Sequence, residues 1–333
     1  MNRYGDILGH DRPKDILRRA ARGGRVHHAY LFSGPEGVGK WLAARAFAAA
    51  LDCEHPENGE ACGQCLSCRK MADENHPDLK LVLPVDKDDK ADLERGKIKI
   101  EQVRDLQRWA QFSPYEGKWK VALLRSADRM NVQSANAMLK TLEEPRPDSV
   151  FVLVAENAHQ LPATVLSRCQ NLAFGPLALE IVEQQLVQRL GMEPDAARLA
   201  AHLSGGSLGR ALDMNMESLS ERRLRVFERL QGISGAGPTR ALDLAQVLLE
   251  GDPATSCEIV KTWYRDLVIL KTTGHGDAVV NRDMMEQLEG EAAGLDADDL
   301  FSRIKAIGET QFWLGLNANR QMAIETLALT LAA

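Results

Sequence analysis

Gly34-Pro35-Glu36-Gly37-Val38-Gly39-Lys40 lies between an apolar run, Ala29–Phe32, and an alanine-rich stretch that reads as a helix. A glycine-rich segment that leaves a strand and opens a helix is the setting of a phosphate-binding loop. Glycines let successive backbone N–H groups curl around phosphate oxygens, and the helix N-terminus adds the positive end of its dipole. Lys40 has the reach for the β- and γ-phosphates. These seven residues, Gly34 to Lys40, are the candidate site for ATP or ADP.

The next position of such a loop normally holds Ser or Thr, whose hydroxyl ligates Mg²⁺; here it is Trp41. An indole offers only an N–H donor and cannot coordinate a cation through it. The strand expected to end in a magnesium-binding Asp and a water-activating Glu is Val121–Leu124, behind the basic turn Lys118–Lys120, and it runs into Arg125-Ser126. Asp128 falls three residues too late for the strand tip and reads as a cap or surface acid before a helix near Asn131. The loop is equipped for phosphate, but metal-assisted phosphoryl transfer is not expected.

Outward from the loop, short apolar runs alternate with helical patterns as far as Phe174, the signature of a parallel sheet with crossover helices. The expected strands are Ala29–Phe32, Leu79–Leu83, Val121–Leu124, Val150–Val154 and Asn171–Phe174. Ala135, Met138, Leu139 and Leu142 share one helical face that Pro145 terminates, and Ile100–Phe112 reads as another helix. The acidic and basic stretch Asp86–Lys97 reads as a solvated loop. Gly175-Pro176 breaks the alternation, and the rest is helical. Leu179–Leu190, Asp195–Leu203 and Leu208–Met216 form three short helices, followed by a longer helical region broken at Gly232–Pro238 and Thr273–Gly276. The fold class is an α/β P-loop domain over residues 1–175, a small helical domain over 176–218 and an all-α domain over 219–333.

A chain of 333 residues exceeds what one core usually supports, in keeping with that division. Its net charge of −6 argues against a surface field that binds nucleic acid on its own. No apolar run approaches the roughly 18 residues of a membrane span, and Met1–Gly9 lacks a basic segment leading into an apolar one, so a cytoplasmic protein without membrane contact is expected.

Four of the six cysteines crowd into Cys53-x₈-Cys62-x₂-Cys65-x₂-Cys68. Four thiolates in so short a span suit a tetrahedral structural zinc site, with a disulfide pairing or free thiols as the alternatives. His55 and His76 lie near enough in sequence to substitute, but four sulfurs leave no vacancy. A closed site cannot activate water, so Zn²⁺ here would staple an insertion after the loop helix. The adjacent His27-His28 are expected to diverge, one packed and one exposed. Trp263, Trp313, Phe301 and Phe312 are expected in core or subunit contacts and not as base-stacking platforms.

Several segments together, in order along almost the whole chain, carry a family likeness. They are Gly9-His10-Asp11-Arg12-Pro13, His28-Ala29-Tyr30-Leu31-Phe32-Ser33-Gly34, Ala127-Asp128-Arg129-Met130-Asn131, Ala135-Asn136-Ala137-Met138-Leu139-Lys140-Thr141-Leu142-Glu143-Glu144-Pro145, Ser167-Arg168-Cys169, Asn317-Ala318-Asn319 and Ala323-Ile324-Glu325. The chain resembles the clamp-loader subunits of bacterial DNA polymerase III, most closely those of delta-prime type. The resemblance implies an AAA+ domain carrying the zinc insertion, a helical lid and a C-terminal collar. It further implies a hetero-pentamer with delta and gamma or tau subunits, acting on the sliding clamp and primer-template DNA.

Within that family the arginine of the Ser-Arg-Cys motif reaches the nucleotide of the neighbouring subunit, which makes Arg168 the implied trans arginine finger, neutralising charge on the transferred phosphoryl group. The lid arginine that senses the γ-phosphate belongs to a Gly-Ser-x-Arg pattern; in Gly206-Ser207-Leu208-Gly209-Arg210 it is displaced by one residue, about 100° around a helix. The leading expectation is a stator that helps load the clamp without hydrolysing ATP itself. An active gamma/tau-like ATPase using Asp128 or Glu156 for magnesium is the alternative, and a zinc-bearing DNA-binding module a third, disfavoured by the acidic charge.

Overall fold

A computed structural model describes residues 3–93, 95–274, 276–316 and 318–333, without the side chains of residues 217 and 277; Asn317 of the Asn317-Ala318-Asn319 motif lies outside the described residues. The chain divides into two compact units, Met1–Leu177 and Ala178–Ala333.

The first unit is built on five strands, β1 (Ala29–Ser33), β2 (Leu79–Val82), β3 (Lys120–Leu124), β4 (Ser149–Ala155) and β5 (Gln170–Ala173). All pair in parallel, in the order β2-β3-β4-β1-β5. Each expected strand is present to within a residue or so at either end. Side chains alternate across the sheet: Tyr30 and Phe32 face one layer with Val121, Leu123, Val150 and Val152, while Ala29 and Leu31 face the other with Ala122, Leu124, Phe151 and Leu153. Both faces are covered, which is why the central strands read as unbroken apolar runs.

Helices α1 (Asp11–Gly23), α2 (Lys40–Leu51), α3 (Leu66–Ala72), α4 (Ile100–Ala110), α5 (Val132–Glu143) and α6 (Ala163–Leu166) complete this unit. α2 buries Ala43, Ala44, Ala46 and Ala48–Ala50, small side chains that let its backbone lie close to the sheet. α4 and α5 supply Val103, Leu106, Ala135, Met138 and Leu142 to the other layer. The loop 86–97 is pinned by Val85–Lys97 and Val85–Ala91 bridges and by Asp86, whose carboxylate accepts the Asp88 and Lys90 N–H groups.

The second unit is helical throughout its described residues: α7 (Leu179–Leu190), α8 (Pro194–Leu203), α9 (Leu208–Asp213), α10 (Met216–Leu230), α11 (Pro238–Leu249), α12 (Pro253–Thr273), α13 (Met285–Gly294), α14 (Ala297–Gly315) and α15 (Arg320–Ala332). α12 packs against α8, α10, α11, α13 and α14, and its Trp263 is fully buried 4.7 Å from the Phe227 ring. Phe301, Phe312 and Trp313 are exposed on α14, so of the four aromatics only Trp263 is core. Breaks at Asp252-Pro253, Asn281 and Asp296 divide the region more finely than its glycine-rich turns suggest; Asp252 caps α12 by accepting the Ala254 and Thr255 N–H groups. No helix among the described residues is long and apolar enough to cross a membrane.

Candidate functional site

The phosphate loop leaves the carboxyl end of β1, whose two neighbours β4 and β5 lie on opposite sides, the position where open parallel sheets hold ligands. Gly34 at φ 142° permits the turn, and a Cβ there would stand 1.9 Å from the Phe174 carbonyl oxygen. Gly39, at φ 108°, turns the chain into α2. His10 Nε2 lies 2.8 Å from the Val38 carbonyl oxygen with its ring against Phe174, fixing the loop from the side of α1.

Lys40 is buried and donates to the carbonyls of Gly34 at 2.6 Å and Pro35 at 2.5 Å. Burial holds its ammonium below the usual lysine range, against the pull of Glu156, Asp128 and Glu36. Glu156 is pushed up to about 7 by desolvation and by Glu36 and Asp128, with Lys40 opposing. Acids from the loop, the β3 exit and the β4 exit thus act on Lys40 together.

Asp128 departs from the expected cap or surface acid. Its Oδ2 accepts the N–H groups of Glu156 and Asn157 at 2.9 and 3.0 Å, so it ties the end of β4 to the turn after β3. The α5 cap is Asn131, whose Oδ1 accepts Ser134 N–H. Sequence distance hid this role, because β3 and β4 become neighbours only in the sheet.

Arg125 and Ser126 follow β3 as expected. The Arg125 guanidinium lies 5.6 Å from the Trp41 ring centre, within cation–π range. The two positions where magnesium chemistry wants a hydroxyl and a carboxylate hold an indole and a guanidinium that contact each other.

The entry to β3 is fixed by two buried acids. Asp78 accepts three backbone N–H groups, from Tyr115 at 2.7 Å and from Glu116 and Gly117 at 2.8 Å, with Lys120 Nζ at 3.5 Å. Asp52, at the end of α2, accepts Lys118 and Trp119 N–H. Neither role has a local sequence signal.

Arg168 stands between α6 and β5, half-buried. Its guanidinium donates to Glu143 Oε1 at 2.6 Å, to the Thr164 carbonyl at 2.8 Å and to Ser167 Oγ at 3.2 Å. His27 is exposed and His28 half-buried, as expected, but the two do not diverge: their rings stack, with centres 4.4 Å apart. Both precede the first residue of β1, so strand alternation does not apply to them. Arg210 lies on α9 of the second unit, where Ser207 Oγ accepts its backbone N–H.

Cys53, Cys62, Cys65 and Cys68 come together with their four sulfurs within 4.8 Å of one another. A zinc tetrahedron with bonds of about 2.3 Å sets sulfurs about 3.8 Å apart, and Cys62 and Cys68 Sγ are at 3.9 Å. Backbone N–H groups point at the sulfurs: Cys62 N to Cys53 Sγ at 3.2 Å, and Gln64 N and Cys65 N to Cys62 Sγ at 3.4 Å. The latter two pull the Cys62 thiol down to about 6, while burial pushes Cys53 and Cys68 up, so the fit to a metal rests on the convergence of the four sulfurs. The donor set therefore fits a structural metal. The insertion is docked on α1 by the Arg18–Glu60 ion pair and by Gly59, whose Cβ would meet the Arg18 carbonyl oxygen at 2.2 Å. Cys169 and Cys257 stand apart, each pushed up to about 12 by burial.

Residues 9–178 match the family model described as DNA polymerase III, delta subunit. The chain belongs to this family. The delta' subunit of Bacillus subtilis is 29% identical over 323 residues, covering 95% of this chain and 94% of that protein. The delta' subunit of Pseudomonas aeruginosa is 36% identical over 209 residues, 62% of each chain. The tau subunit of Escherichia coli is 30% identical over 323 residues, 92% of this chain. The chain spans about half of that tau subunit, 47% of its length.

Proposed function

We propose that the chain is a delta-prime-type clamp-loader subunit that does not hydrolyse ATP, standing beside delta and gamma or tau subunits in a hetero-pentamer that loads the sliding clamp onto primer-template DNA in the cytoplasm. The contact between Trp41 and Arg125 carries this reading, because it fills both magnesium positions with groups that cannot ligate the ion. In this role Arg168 is the catalytic residue, acting on a neighbour's nucleotide. The N–H groups of Gly34–Lys40 would hold the phosphates of ATP or ADP, with Lys40 exchanging the Gly34 and Pro35 carbonyls for phosphate oxygens. Zn²⁺ on Cys53, Cys62, Cys65 and Cys68 would supply four strong cross-links to a short insertion and no chemistry. Residues 176–218 serve as a lid and 219–333 as the oligomerising collar.

The test is hydrolysis by the reconstituted complex. Arg168→Ala should leave assembly intact and abolish turnover at the site it serves, an effect of about 10³-fold or more for an arginine finger. Undiminished turnover at every site would remove the assignment. One observation favours an active gamma/tau-like ATPase instead: Asp128 Oδ1 is buried without a hydrogen-bond partner, close to Lys40. Phosphate release by the chain itself with DNA and clamp present, lost on Lys40→Ala, would establish that alternative.

A further inference from the structure

The contacts of Arg168 fall into two kinds. Those to Thr164 and Ser167 are made within the preceding four residues and fold the side chain back on α6. The third comes from another element: Glu143 closes α5 and meets the guanidinium at 2.6 Å. Leu142, next to it, is buried in the sheet layer, so the backbone that carries Glu143 is anchored while its carboxylate stays exposed.

From this geometry we infer that Glu143 is a positioning residue, which holds the Arg168 guanidinium on its own subunit until the nucleotide of a neighbouring subunit draws it away. The inference rests on the reading of Arg168 as a finger acting in trans. Arginine donates to a carboxylate and to a phosphate through the same planar fork, so the two acceptors compete for one group. The side chains of Arg168 and Glu143 are 33% and 49% exposed, and an ion pair so placed is weak enough to exchange. Such a pair shifts an equilibrium by about two- to five-fold. It therefore lowers the fraction of free finger, and the apparent affinity of any event that needs it, by that factor. Neutralising Glu143 releases the finger without touching the nucleotide.

The experiment is ATP hydrolysis by the reconstituted complex across a range of ATP concentrations, with wild-type chain, Glu143→Gln, Glu143→Asp, Arg168→Ala and the double variant Glu143→Gln/Arg168→Ala. The rate of the Arg168→Ala complex is subtracted from the others to isolate the site that the finger serves. Glu143→Gln should lower the KM of that site for ATP about two- to five-fold with kcat little changed, and Glu143→Asp should restore the wild-type KM. In the Arg168→Ala background Glu143→Gln should have no effect, which a merely structural role would not produce. If Arg168→Ala slows hydrolysis but Glu143→Gln leaves KM unchanged or raises it, the inference fails and the finger stands. If Arg168→Ala hydrolyses as fast as wild type, the finger reading falls and takes the inference with it.

Discussion

Replacing Asp78 tests the claim that a buried carboxylate fixes the entry to β3. The carboxylate is fully buried and accepts Tyr115, Glu116 and Gly117 N–H, while Lys120, itself 5% exposed, has its ammonium 3.5 Å away. Asp78→Ala leaves three donors and a buried ammonium without their acceptor. Hydrogen bonds to a charged group contribute about 1.5–3 kcal/mol each, so three contribute at least about 4.5 kcal/mol. The loop they come from is exposed at Tyr115 and Glu116, and water can take over part of the loss, which sets the expected cost near 4 kcal/mol. Asp78→Asn keeps one acceptor oxygen and should cost about half as much. Against a total stability of about 5–15 kcal/mol, the alanine variant should be close to unfolding and the asparagine variant folded but weakened.

The pH dependence carries a sign. Burial pushes the Asp78 carboxyl up, but the N–H groups of Gly117, Tyr115 and Glu116 and the charge of Lys120 outweigh it, and the group titrates below the usual carboxylate range. Its contribution is therefore fully present above the unfolded-state value and is lost as pH falls through the lower folded-state value. The gap between wild type and Asp78→Asn should narrow in acid. Urea denaturation followed by circular dichroism, with zinc present, measures the cost, and hydrogen exchange at residues 115–117 locates it. A loss under about 1 kcal/mol for Asp78→Ala, or amides at 115–117 that exchange no faster, would refute the reasoning.

Two further outcomes are expected. Burial and the charges of Glu36 and Asp128 push Glu156 up to about 7, so raising the pH through neutrality adds negative charge beside the phosphate loop; magnesium-free ADP should bind the chain less tightly at pH 8 than at pH 6, and Glu156→Gln should flatten that slope in calorimetry. Cys65→Ser should release zinc, read by metal analysis of the purified chain, and should increase proteolysis within residues 53–68, while metal retained at the wild-type level would count against the four-sulfur site.

Strands β1, β3 and β4 were legible because each is a short apolar run buried on both sides along nearly all its length. The edge strands β2 and β5, by contrast, are only partly covered and carry Lys80, Gln170 and Asn171 within their runs. The loop was legible because Gly34 and Gly39 adopt positive φ, which other residues rarely reach, and the metal cluster because its ligands are close in sequence. The second unit was less so: its helices break at caps such as Asp252 that hide among ordinary polar residues, where only glycine-rich turns stand out.

By itself, then, the sequence determined the strands of the first unit, the glycine-rich turn into α2 and the four clustered cysteines, since each depends on residues close along the chain. Only the tertiary structure decided that Glu36, Asp128 and Glu156 act on Lys40 together, that Asp78 catches the turn before β3, and that Arg168 rests on Glu143. Those groups are brought together by the order of strands in the sheet. Periodicity reports which face of an element is buried and carries no information about which element comes to lie beside it.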